Sequence, residues 1–475
     1  MRWETVIGLE VHAELSTKSK IFCGCTTAFG GEPNTHVCPV CSGMPGALPK
    51  LNRAVVEYAM RVGLTFGCTI TENCKFDRKN YFYPDLPKAY QVSQLYAPFC
   101  RDGHMEIETG RGKKIIGIRE IHIEEDAGKL IHDSRSGCTH MDFNRCGVPL
   151  IEIVSQPDFR SGGEVLAYLE KLRETLLYLA ICDCKMQEGS LRADVNLSVR
   201  PMGGELGVRT EMKNLNSFKA IGRAIEHESK RQFEILEGSG QIVQETRRWD
   251  DDKGVSYGMR SKENVQDYRY FPEPDLLPVK VDNEWLGRIE KNLPELAHQK
   301  RVRYVRVFGI SDFAASVLTR HKNISDLFEL VSEQTGEPLE AAHLITGEVM
   351  YLMNNTNTPP EELSLDGRKL STLISLVSSW KINRNAYKEA VEAVFMHDAD
   401  PEAYIAEKGL MMVTDNKVVA EVVNSVITDN RDAVANYRAG KDKVFGFLMG
   451  RAMKILGGTG NPDMARKALQ DALDK

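Results

Sequence analysis

The sequence predicts an α+β fold: an antiparallel-sheet domain over residues 1–293, an all-helical domain over 294–406 and a small helical tail over 407–475. Three observations carry this. "TVIGLEVHAEL", residues 5–15, alternates strictly, with Ile7, Leu9, Val11, Ala13 and Leu15 on one side and Glu10, His12 and Glu14 on the other, as side chains of a strand project with period two. "LRADVNLSVR", residues 191–200, repeats the design, setting Leu191, Ala193, Val195, Leu197 and Val199 against Arg192, Asp194, Asn196, Ser198 and Arg200. After "YFPEPDLLPV" strand-like alternation nearly disappears and helical periodicity takes over.

The first domain interleaves strands with amphipathic helices. Glu164 to Ala180 carries Val165, Leu169, Leu172 and Leu176 on one face, and Ser217 to Leu236 forms another helix. Helices on one side of strands whose other side is polar indicate a sheet with one open face. Beyond Leu293, "SDFAASVLTRHK", "SDLFELVSEQ" and "LEAAHLITGEVMYLMNN" read as successive short helices, "NNTNTPPEELSLDG" as a loop, and helices resume to the end. From Arg431 to Lys475 nine Lys and Arg stand against five Asp and Glu, leaving −10 on the rest of a chain whose net charge is −6. That asymmetry marks a small basic tail.

Composition narrows the classes. At 475 residues the chain exceeds what one core supports, and 42% hydrophobic with 27% charged residues is globular composition. The net charge argues against wholesale coating of nucleic acid, so a polyanion would need a local basic patch. No apolar run approaches the ~18 residues of a membrane span, and Trp3 and Glu4 lead straight into a strand instead of a signal-peptide pattern. A cytoplasmic protein without membrane attachment is expected. The eleven cysteines all fall within the first 184 residues, which in that setting predicts reduced thiols or metal ligands, not a disulfide framework.

Acidic and imidazole side chains recur on polar strand faces. Besides Glu10 and His12, "IREIHIEEDAGKL" gives His122, Glu124 and Asp126 one parity, with Glu125 on the other or at the strand's end; "PLIEIVSQPD" adds Glu152, and Asp194 has its own strand. Brought onto one open face, such carboxylates repel unless cations lie between them. Mg²⁺ bridging phosphates uses only one or two carboxylates per ion, so the set suits more than one ion with bound ATP. A solvated face of ordinary charged residues is the alternative. Neither GxxxxGK[ST] nor a GxGxxG leading into a helix occurs, so a nucleotide would be held through metals and arginines; "GSLRAD" offers Ser190 and Arg192 beside Asp194. "RKNYFYPDLPKAYQVSQ" mixes Arg78, Lys79 and Lys88 with Tyr81, Phe82, Tyr83 and Tyr90, a pattern that either grips an RNA end or packs a loop. Cys23, Cys25, Cys38 and Cys41 form C-x-C-x12-C-x2-C, which suits a closed tetrahedral Zn²⁺ site of structural role, with unpaired thiols as the other reading.

Taken together, "GLEVH", "FDRKNYFYPDLPKAYQ", "HIEEDAGK", "PLIEIVSQPD", "EGSLRADVN", "KNLNSF", "QETRRWD" and "DYRYFPEPDLLP" resemble the B-subunit (GatB) family of bacterial tRNA-dependent amidotransferases, through the whole chain and including a tail similar to the YqeY-type module. The resemblance implies a glutamine-synthetase-like catalytic domain whose open sheet face carries Mg²⁺ and ATP. It implies an ATP-dependent carbon–nitrogen ligase with glutamine as amido donor, active within a complex. The side-chain carboxylate of Glu on tRNA(Gln), or Asp on tRNA(Asn), is phosphorylated, and ammonia displaces the phosphate. The implied partners are an amidase A subunit that releases the ammonia, a small C subunit that wraps the other two, and the misacylated tRNA. A non-catalytic tRNA-binding scaffold with a merely solvated acidic face is the alternative.

Carried over motif by motif, the resemblance assigns Glu10, His12 and Glu125 to catalysis and Glu10, His12, Glu124, Glu125 and Glu152 to Mg²⁺. It assigns Ser190, Arg192 and Asp194 to the nucleotide, and Lys79, Tyr81, Lys88 and Glu188 to the ammonia route. Arg438, Lys441, Lys443, Arg451 and Lys454 are expected to meet the tRNA backbone, a solvated helical bundle being the other reading. Family members differ in the cysteine quartet; with all four present, as here, structural zinc is expected. One departure is Gln187 in "KMQEGSLR", where many relatives have an acid. As a ligand His12 must be neutral, so activity is expected to fall below about pH 6.5, the unperturbed imidazole value.

Overall fold

The opening stretch lies in the middle of a nine-stranded sheet. It is β1 (Trp3–Glu14), followed in chain order by β2 (Thr69–Ile70), β3 (Cys100–Thr109), β4 (Gly112–Glu125), β5 (Pro149–Ser155), β6 (Leu191–Pro201), β7 (Thr210–Lys213), β8 (Glu245–Asp250) and β9 (Val255–Ser261). Across the sheet the order is β9-β8-β7-β6-β1-β5-β4-β3-β2. The computed structural model describes residues 2–133, 135–261, 268–412, 416–438, 441, 443–456 and 460–474. The sheet belongs to the first of two compact units, Met1–Leu296; the second is Ala297–Lys475.

Neighbouring strands run antiparallel with one exception, β7 and β8, which are parallel. The sheet is therefore mixed, where the alternation had suggested antiparallel pairing throughout. Parallel neighbours need a crossover, and here the helix Phe218–Glu237 supplies it.

One face of the sheet is sealed by three helices, α1 (Arg53–Thr65), α2 (Gly162–Tyr178) and α3 (Phe218–Glu237). Ile7, Leu9, Val11 and Ala13 of β1 are fully buried there, as are Val165, Leu169, Leu172 and Leu176 of α2. Each helix starts on a polar cap. Asn52 accepts from Ala54 N at 2.9 Å, Ser161 from Glu164 N at 3.3 Å and Ser217 from Ala220 N at 3.0 Å, satisfying amides that have no partner within the helix. A small sheet of Asp77–Asn80, Tyr90–Ser93 and Phe271–Pro272 completes the site's surroundings. Arg78 pins it: its guanidinium donates to Glu273 at 2.7 and 2.8 Å and to Asp275 at 3.0 Å, and lies 4.3 Å from the Tyr90 ring centroid.

The second unit is helical and holds two separate apolar cores. One gathers Tyr304, Phe328, Ile345, Leu373 and Val391, the other Val423, Leu448, Ala452 and Leu469. The stretch 339–355, which reads as a single helix, runs as Pro338–His343, a π-helical turn at Leu344–Val349, and Met350–Thr356. The wider turn keeps Ala341, Ile345, Val349 and Leu352 all facing the core.

Candidate active site

Strand register decides which polar side chains meet. His12 pairs with Glu152 on one side and Arg192 on the other, and Glu152 pairs in turn with His122. These four residues form a row across β4, β5, β1 and β6 on the face away from the helices. One step along, Glu10 faces Asp194, and Asn196 faces Glu211 of β7. Directly opposed residues bring their Cβ atoms to about 4.5–5.5 Å, so the register by itself concentrates charge.

Two clusters result. Ligand atoms of His12, Glu124 and Glu152 lie within 4.8 Å of one another, as do those of Glu10, Asp194 and Glu211. In the first, His12 Nε2 is 3.6 Å from both Glu124 Oε1 and Glu152 Oε2, and His122 Nε2 is 2.8 Å from Glu152 Oε2. Ser93 Oγ donates to Glu124 Oε2 at 3.1 Å. Burial alone would lower the His12 pKa, but Glu152, Glu124 and Asp194 outweigh it and raise it to about 9. An unperturbed 6.5 therefore does not describe this imidazole. Burial and the neighbouring Glu152 push Glu124 up. At Glu152 burial opposes ionisation, but His122 and His12 prevail and hold it well below the usual carboxylate range. In the second cluster Lys213 Nζ stands 2.7 Å from Asp194 and 3.3 Å from Glu211, and Asn196 donates to Glu10 at 2.9 Å.

Arg192 donates to Asp126 at 2.8 Å, and Arg145 lies 3.7 Å from the same oxygen. Burial works against ionised Asp126, yet the two guanidiniums keep its pKa low. Glu14 is raised to about 9 by burial and by Asp126, so it keeps a proton that Asp126 does not.

Glu125 joins neither cluster. Its strand parity turns it to the other face, where it accepts from Val92 N at 2.9 Å and pairs with Lys88. It lines a cavity of about 100 Å³ together with Lys20, Cys41, Tyr90 and Glu273. The five residues expected to hold Mg²⁺ ions divide among three places: Glu10 in one cluster, His12, Glu124 and Glu152 in the other, and Glu125 at the cavity. Lys79 Nζ sits 4.9 Å from the Tyr268 ring centroid and 5.8 Å from that of Tyr81, whose ring meets Tyr268 edge-on at 5.7 Å. Burial, Asp85 and Glu124 push the pKa of the Tyr81 hydroxyl up. Glu188 pairs with Lys185 at 2.9 Å on the loop before β6. Ser190 donates to Asp183 and accepts from Lys185 N at 2.8 Å, so its hydroxyl is committed to that loop.

The thiols of Cys23, Cys25, Cys38 and Cys41 lie within 4.8 Å of one another. All eleven cysteines are free. Cys38 N–H donates to Cys41 Sγ at 3.2 Å, and the Cys41 pKa is lowered, Cys23 contributing most. Four soft donors so gathered fit a closed tetrahedral Zn²⁺ site. Arg438, Lys441, Lys443, Arg451 and Lys454 are all exposed. Lys443, Arg451 and Lys454 share one face of the helix Lys443–Ile455 with half-exposed Phe447, opposite buried Leu448 and Ala452.

Comparison with known proteins follows this geometry. Residues 5–287 match the model of the GatB/GatE catalytic domain and residues 326–473 that of the GatB domain. The chain belongs to the GatB family. Similar proteins are named as the B subunit of aspartyl/glutamyl-tRNA(Asn/Gln) amidotransferase. That of Lachnoclostridium phytofermentans is 56% identical over 474 residues, covering 100% of this chain and 99% of the relative. That of Caldicellulosiruptor bescii is 53% identical with both chains fully covered, and that of a Thermoanaerobacter species 50% identical, again with both fully covered. Among the described residues no helix is long and apolar enough to cross a membrane.

Several polar residues of this GatB chain escape a reading by sequence alone. Glu211 and Lys213 sit on a four-residue strand, too short for alternation to declare its polar face. Asp126 lies just past the end of β4 and meets Arg192, 66 positions away. His122 and Asp126 did carry a usable signal, sharing the parity of Glu124; the pairing of Asp126 with Arg192 did not.

Proposed function

We propose that this chain is the amide-forming subunit of a tRNA-dependent amidotransferase, an ATP-dependent carbon–nitrogen ligase working in a complex. Its substrates are Glu on tRNA(Gln), Asp on tRNA(Asn), or both. A side-chain carboxylate oxygen bonds to the γ-phosphorus of ATP as ADP leaves. Ammonia then attacks the acyl carbon, phosphate departs, and the nitrogen loses a proton to leave the amide. The first step drives anion toward anion, so neutralising charge is the main task.

His12, Glu124 and Glu152 would hold one Mg²⁺ and Glu10, Asp194 and Glu211 a second. Ions held there would supply charge neutralisation as phosphoryl transfer proceeds. The first set supplies two carboxylates and an imidazole and the second three carboxylates, donors that would suit a hard divalent cation. Arg192, oriented by Asp126, keeps guanidinium N–H groups for a phosphate on the same row. Lys79 and Tyr81 border this face, and the Lys88–Glu125 pair beside the cavity would meet ammonia released by an amidase partner, with a small C subunit as the third member of the complex. Separating that route from water protects the acyl phosphate. The cysteine quartet would carry structural Zn²⁺, and the basic face of the tail would hold the tRNA backbone.

The observation that carries the reading is the convergence of residues from β1, β4, β5, β6 and β7 into two acidic clusters on one open sheet face. The test is ATP hydrolysis by the reconstituted complex on adding Glu-tRNA(Gln) and Mg²⁺. His12→Ala should lower it, and amide formation with it, by about 10²–10³, the loss typical of a group that stabilises transition-state charge, while glutaminase activity of the partner persists. Wild-type rates in this variant would leave the chain a tRNA-binding scaffold.

A further inference from the structure

Lys20 is fully buried. Its ammonium donates to the His36 carbonyl at 2.7 Å and the Phe143 carbonyl at 3.4 Å, and reaches Cys41 Sγ at 3.6 Å. No carboxylate pairs with it among the described residues. An ammonium taken out of water is costly unless an opposite charge meets it, and carbonyl dipoles meet that need only in part. Among the described residues that its ammonium contacts, Cys41 alone can carry a full negative charge, as a metal-bound thiolate.

The backbone fixes this encounter. Lys20 N–H donates to the Cys25 carbonyl at 2.9 Å, and Ile21 N–H donates to the Gly147 carbonyl at 2.9 Å. Gly147 has φ of +79°, and a side chain there would sit 3.5 Å from Cys41 Cβ and 3.7 Å from Lys20 Cδ. The segment that carries Cys23 and Cys25 therefore also delivers the lysine to the far side of Cys41.

We infer that Lys20 is a positioning residue of the four-cysteine centre, a fixed positive charge that balances the thiolate-bound metal and holds Cys41 Sγ in place for it. The inference rests on the zinc reading above. Four thiolates on Zn²⁺ leave two net negative charges in a partly buried site; Lys20 offsets one, and the Cys38 N–H at 3.2 Å supports the same sulfur.

The test compares the full-length wild type with Lys20→Met and Lys20→Gln in zinc competition against a chromophoric chelator. Both variants should bind about one Zn²⁺ per chain with affinity about 10- to 100-fold weaker. In Co²⁺-loaded protein the thiolate-to-metal charge-transfer band should move to lower energy, because the sulfur loses a stabilising charge; a lysine that merely fills space would leave the band in place. Lys20→Gln keeps a donor for the His36 carbonyl and gives the answer should Lys20→Met fail to fold. Equal affinities with an unmoved band overturn the role of Lys20 alone. A wild-type protein that binds no zinc overturns the zinc reading and this inference with it.

Discussion

His12 sets how the site responds to pH. In the metal-free protein its pKa is raised to about 9 by Glu152, Glu124 and Asp194. The stabilisation this gives is complete below the unfolded-state value of about 6.5 and is lost as pH rises through about 9. A cation at the His12 cluster needs the neutral imidazole, so an ion bound there in that window displaces a proton. Affinity of that cluster for Mn²⁺ or Mg²⁺ should therefore climb roughly tenfold per pH unit toward 9 and then level off. Calorimetry in buffers of different ionisation enthalpy checks this, and the slope should vanish in His12→Ala. Glu125 gives the complementary case. Its separation from both clusters predicts that Glu125→Gln leaves divalent-ion binding intact yet lowers glutamine-dependent amide formation, since half-buried Lys88 loses its partner. Loss of an ion by direct titration would return Glu125 to the ligand set.

The strands show how far pattern reading reaches. β1 and β6 were legible because each runs long enough for alternation to separate a buried face from a charged one. Apolar spacing at Val165, Leu169, Leu172 and Leu176 likewise marks α2. What alternation cannot supply is register: nothing in β7 or β8 announces a parallel pairing, or that Glu211 will stand one strand from Asp194. Glu211→Gln should accordingly remove one bound ion and spare the His12 cluster, as read by Mn²⁺ titration. The helix-covered face makes a stability prediction. Leu172 of α2 is fully buried, and Leu172→Ala should cost about 2–5 kcal/mol in chemical denaturation of the first unit's transition. A loss below about 1 kcal/mol, the size usual for exposed sites, would mean the helix does not seal the sheet.

Charge is divided along the chain. Residues 431–475 carry nine basic against five acidic side chains within a chain of net −6, while the sheet face gathers Glu10, Glu124, Glu152, Asp194 and Glu211. A polyanionic substrate would be repelled by the second and attracted by the first, so the proposed function needs cations at the sheet face and predicts that RNA contacts fall on the basic tail. Arg451→Ala should weaken tRNA binding and reduce the slope of log affinity against log salt by about 0.7–0.9, as measured by filter binding; an unchanged slope would place the tail away from the RNA. The most direct measurement is Mn²⁺ binding to the full chain followed by electron paramagnetic resonance. Two clusters of ligand atoms within 4.8 Å predict two ions per wild-type chain, one in Glu152→Gln and one in Glu211→Gln. No bound ion in the wild type, or two retained in both variants, would contradict the assignment of the open sheet face as a cation-held phosphate site.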